Sequence, residues 1–116
     1  MRHFTLIFHA TRPLTPEERK QSAIDIPVWV KRVTEMGITL DPRALGETVT
    51  RFSTEGSTVV THEEQMGAAP ITFIVFFDSP SRDKAMEVAQ IHPVLQYGTT
   101  IELREWTSGR QADAKQ

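Results

Sequence analysis

The 116-residue chain contains no cysteine. That absence excludes disulfides, thiolate nucleophiles, iron–sulfur clusters and cysteine-type zinc sites together. Apolar runs are also scarce: stretches such as Leu6 to Phe8 and Ile74 to Phe77 stop far short of a membrane span or the core of a secretory signal. Charge of one sign is not in excess either. Thirteen Lys and Arg face fifteen Asp and Glu for a formal net charge of −2, so the chain carries no electrostatic footprint for nucleic acid or an anionic membrane surface. No Walker loop, Gly-x-Gly-x-x-Gly, Gly-x-Ser-x-Gly, His-Glu-x-x-His or basic-aromatic array occurs. These absences predict a cytoplasmic protein without cofactor, metal, nucleic-acid or membrane partner.

What is present is 39% hydrophobic and 24% charged, the make-up of one globular domain. The stretch Ala85 to Trp106 organises the rest. An apolar stripe of Ala85, Val88 and Ala89 predicts a helix, with Asp78 or Ser79 as its cap. His92-Pro93 stops it, Gly98 turns the chain, and Thr99 to Trp106 alternates as a strand. Ile101 and Leu103 fall on one face of that strand, and Thr100, Glu102, Arg104 and Trp106 on the other.

Earlier in the chain, Phe4 to Ala10 reads as a strand with Phe4, Leu6 and Phe8 opposite Thr5, Ile7 and His9. Thr15-Pro16-Glu17-Glu18 is a capping-box helix start with Pro16 at its first position. Ile26, Val30 and Val33 continue the helical spacing, flanked by Trp29 and Met36, and Gly37 ends it. Pro27 predicts a bend or restart there, with Asp25 as a second cap. Ile38 to Leu45 reads as a connection, Gly46 to Ser53 and Thr58 to Thr61 as a hairpin at the sheet edge, and His62 to Pro70 as a loop. Ile71 to Phe77 is apolar on both faces and so a central strand. The polar tail from Thr107 to Gln116 lacks periodicity.

The order β-α-β-β-β-α-β over residues 1–106, followed by a tail at 107–116, predicts an α+β fold: a ferredoxin-like sandwich with both helices on one sheet face. The other face would carry Ile7, Ile74, Phe76 and Trp106, and an apolar patch of that kind needs a cover. A second copy of the chain is the simplest one.

The segment ITFIVFFDSPSRDKAMEVAQIHPVLQYGTTIELREW resembles the YCII-related superfamily. The matching positions are Ala85, Ala89, His92, Pro93, Gly98, Ile101, Glu102 and Arg104. The first strand and the Thr15 helix start look similar too. This resemblance implies a dimeric α+β barrel made by two sheets packed face to face, with a cleft between sheet and loops. Two departures stand out. His62-Glu63-Glu64-Gln65-Met66 occupies the place of the family's Asp-Gly-Pro-Phe motif, and Glu105 replaces the proline after Arg104.

Two histidines are candidates for proton chemistry near neutral pH. His92, at the end of the second helix, is one candidate acid/base; the other reading is a cap on the helix carbonyls. His9 is the second candidate, since antiparallel first and last strands would set it near the start of the last strand. Glu102 and Arg104 share a face, where they either pair, with one another or across a dimer interface, or line a ligand site with Trp106, Arg104 clamping an anion. His62, Glu63 and Glu64 are adjacent, which is poor spacing for a metal. The leading expectation is a homodimer, joined through the helix-free sheet face, that binds a small aromatic or carboxylate-bearing molecule, with cofactor-free acid/base catalysis as its chemistry. A non-catalytic dimerisation or protein-interaction module is the alternative, and monooxygenase-like activity follows from fold analogy alone.

Overall fold

The computed structural model describes residues 1–46, 48–65 and 71–108. Among these it is a mixed α/β structure with strands β1 (Arg2–His9), β2 (Asp41–Ala44), β3 (Thr48–Glu55), β4 (Thr58–Gln65), β5 (Ile71–Ser79) and β6 (Thr100–Glu105). Two helices, α1 (Pro16–Glu35) and α2 (Arg82–Gln90), and a 3₁₀ turn over Pro93–Tyr97 complete it. Four strands form an open antiparallel sheet in the order β2-β5-β1-β6, and β3 and β4 form a separate two-stranded sheet. Among the described residues no helix is long and apolar enough to cross a membrane.

The period-2 alternation of β1 decides which face is buried. Phe4, Leu6 and Phe8 point to the helices and join Val75 and Phe77 of β5 in the core. Trp29 and Val33 of α1 and Ala85 and Val88 of α2 cover them. Both helices therefore lie on one sheet face. Register sets the other face: Ile7 stands opposite Ile74 and Glu102, and Thr5 opposite Phe76 and Arg104.

Helix α1 starts as expected. Thr15 Oγ1 accepts the Glu18 N–H at 3.1 Å and Glu18 accepts the Thr15 N–H at 2.9 Å, closing the capping box. The bend expected at Pro27 does not occur; the helix runs unbroken from Pro16 to Glu35. Pro27 is on the exposed side, where the carbonyl it leaves unpaired can turn to water. Asp25 is accordingly no second cap and accepts instead from Gln21.

Three further expectations are corrected. Asp41–Ala44 is not a connection but an edge strand on β5, a place where Pro42 needs no ladder N–H. The hairpin is not an edge of the main sheet: it pairs within itself, and His62 to Gln65, read as loop, extend β4. Ser81, not Asp78 or Ser79, caps α2, accepting the Lys84 N–H at 3.2 Å, because β5 runs on through Ser79. The rest of the expected 62–70 loop, and residues 109–116 of the expected tail, lie outside the described residues.

Candidate functional site

The helix-side face holds a cavity of about 790 Å³, inside the range of small-molecule sites. Its origin is a difference in how closely the two helices sit. Helix α2 approaches β1, β5 and β6, while the main backbone approach of α1 is to the 3₁₀ turn. Small Ala85 lets α2 come close to the sheet. In α1 the bulky Trp29 indole fills that position, with its Nε1–H donating to Val88 O at 3.0 Å, and the sheet beyond it is left uncovered. Phe8, Phe73 and Val75 form the sheet wall, and Trp29, Ile26 and Val30 the helix wall. This explains why Val30, placed in the buried stripe by its spacing, is 40% exposed: it faces a hollow, not packed side chains.

His92 belongs to this cavity. It does not cap the end of α2. It is the N-cap of the Pro93–Tyr97 turn, its Nδ1 accepting the Val94 N–H at 3.1 Å. The ring lies against Trp29, with centroids 4.3 Å apart, and edge-on to Phe8 at 4.9 Å. Only 6% of the residue is exposed, and burial lowers its pKa to about 4, so the imidazole is neutral at pH 7. Because Nδ1 accepts, the single ring proton is on Nε2. Nε2 has no acceptor among the described residues and is not wholly enclosed.

His9, Glu102, Arg104 and Trp106 lie on the opposite, helix-free face, so the two candidate histidines are separated by the sheet. As the strand pairing predicted, His9 stands opposite Thr100. Its Nε2 meets Glu102 Oε1 at 3.0 Å, and the other Glu102 oxygen accepts from Arg104 Nε. These two bonds, His9 first, lower the Glu102 pKa. Arg104 is thus committed to a carboxylate of its own strand. At the far end of the same face His3 Nδ1 contacts Asp78 Oδ1 at 2.6 Å, and the His3 ring stacks on Trp106 at 4.8 Å. The sequence reading missed this pair because it assigned Asp78 to a helix cap. The β1–β5 register, which sets His3 opposite Asp78, is the signal that would have found it.

Gly98, the expected turn, ends the 3₁₀ segment at φ +81°, a left-handed conformation that glycine adopts without cost. Its carbonyl accepts from Thr11 Oγ1 at 2.7 Å, tying the cavity's Ala10–Leu14 border to the start of β6. Among the described residues no group of three metal-ligating side chains converges. No family model matches the chain, and no curated protein is significantly similar to it.

Proposed function

We propose that this protein binds a small, mainly apolar molecule in the cavity between α1 and the sheet, and that it does so as a homodimer joined through the helix-free face. The observation that carries the ligand reading is the cavity itself: aromatic and aliphatic walls around a buried imidazole with one free N–H, the usual composition of a small-molecule site. The proposed chemistry, cofactor-free acid/base catalysis, takes a specific form here. With Nδ1 occupied and Nε2 protonated, the neutral His92 ring serves as a hydrogen-bond donor that polarises a ligand oxygen, not as the initial base and not as a proton donor, since loss of its one ring proton would leave an imidazolate.

The finer fold reading, a ferredoxin-like sandwich whose copies pair into a dimeric α+β barrel of the YCII-related type, is supported by the order β2-β5-β1-β6, with the hairpin as an insertion. The dimer reading is supported by Ile7, Ile74, Phe76 and Trp106 on the bare face. The surrounding His9–Glu102–Arg104 and His3–Asp78 groups are already paired, which favours a structural over a ligand role for that face. The alternative, a non-catalytic dimerisation or protein-interaction module, leaves the cavity unused.

The uncharged fluorophore N-phenyl-1-naphthylamine separates the two. Its emission should rise on saturable binding to the wild-type protein, and Val30→Trp, which fills the cavity from the helix side, should abolish the rise. Absence of binding, or binding unaffected by Val30→Trp, would leave the non-catalytic module as the better reading.

A further inference from the structure

Resting on that cavity reading, we infer that the preferred ligand is an elongated anion, with a carboxylate or similar group held by Arg19 and an acceptor oxygen at the opposite end held by His92 Nε2–H. The charge pattern of the wall carries the first half. Two arginines, Arg12 and Arg19, border the cavity, and none of the described residues lining it is a carboxylate. Arg12 is already engaged. Its guanidinium holds both oxygens of Glu18 at 2.6 and 2.8 Å, while Glu18 also closes the helix cap. Arg19 has no carboxylate partner among the described residues. A guanidinium on the rim of an apolar hollow, with no counter-ion of its own, selects anions over cations and neutral polar molecules.

Helix geometry carries the second half. Arg19 lies ten residues before Trp29 on α1, about 15 Å along the axis, and His92 packs on Trp29. Arginine side chains on a helix lean toward its N-terminus, so the two polar groups mark opposite ends of the cavity. Ile26, Val30 and Phe73 of the wall offer only apolar contact. A molecule satisfying both ends therefore has an apolar body and polar groups at its two extremities; a compact sugar or a metabolite polar throughout would leave its middle unpaired.

The naphthalene scaffold tests both ends with the wild-type protein and one surface variant. Three probes are titrated by calorimetry: 6-acetyl-2-naphthoate, its methyl ester, which lacks the charge, and 6-ethyl-2-naphthoate, which lacks the acceptor. The acid should bind roughly tenfold more tightly than the ester, and Arg19→Gln should erase that difference while leaving the ester unchanged. The acetyl compound should bind about threefold more tightly than the ethyl compound. Equal binding of acid and ester, or a difference that survives Arg19→Gln, would overturn the anion assignment, and equal binding of acetyl and ethyl would remove His92 from the ligand. If these differences are absent while N-phenyl-1-naphthylamine still binds in the cavity, the inference falls and the cavity reading stands. If that probe fails as well, both fall.

Discussion

Replacing His92 by Gln should flatten part of the acid side of the stability curve, and the size of the effect follows from burial. The imidazole is neutral in the fold, with its pKa lowered to about 4, whereas in the unfolded chain it titrates near 6.5. Between those values the unfolded state binds the extra proton and the folded state does not. Stability therefore falls as pH falls through this window, and His92 adds no pH dependence above about 6.5 or below about 4. The limiting slope is about 1.4 kcal/mol per pH unit, which over roughly 2.5 units comes to about 3 to 4 kcal/mol. Urea unfolding followed by tryptophan fluorescence at pH 7, 6, 5 and 4.5 measures it. The wild type should lose about 2 kcal/mol more than His92→Gln between pH 6 and 4.5. Glu18, held near 2 chiefly by its hydrogen bonds to Arg12, destabilises only below this range as it protonates, and it is common to both proteins. Parallel curves for the two proteins would show that His92 is not a desolvated neutral imidazole, and the tautomer argument would go with it.

Thr15→Ala removes one half of the capping box and should cost about 1 kcal/mol, read from the shift of the urea midpoint at constant slope. Ser22 Oγ is buried without a hydrogen-bond partner among the described residues. Ser22→Ala should therefore be neutral or stabilising by up to about 1 kcal/mol, where an ordinary buried serine would lose stability. Phe76→Asp places a charge on the helix-free face beside Trp106. Sedimentation velocity should show self-association weakened while far-ultraviolet circular dichroism is unchanged, and an unaltered dimer would put the interface elsewhere.

Much of the architecture was legible because strands have a period that does not drift. Alternation in Phe4 to His9 and in Thr100 to Arg104 fixed the helix-side and bare faces, and from them the meeting of His9, Glu102 and Arg104. The capping box was legible because it is local, three residues apart. What escaped was decided by neighbours distant in sequence. Asp41-Pro42 has turn chemistry, yet the open edge of β5 draws it into a strand. Pro27 has breaker chemistry, yet an exposed position and strong flanking helix tolerate it. The cavity depends on how far α1 stands from the sheet, which no periodicity encodes. One sign of it was present, though: Arg19 is seven residues before Ile26 and so lies on the apolar stripe, an unusual place for a cation with only solvent to meet. His92-Pro93-Val94 held another, since a side-chain acceptor followed by proline is a helix-start pattern as well as a helix stop.

The two tryptophans report on the two faces separately, which makes one spectrum the most direct test. Trp29 forms a wall of the cavity and Trp106 lies on the bare face, so their indole N–H signals in a ¹⁵N-correlated spectrum distinguish ligand binding from self-association. On titration with N-phenyl-1-naphthylamine the Trp29 signal should move saturably while that of Trp106 stays fixed; on dilution of the protein alone the reverse should hold. Movement of Trp106 with the probe, and none of Trp29, would contradict the assignment of the cavity as the binding site.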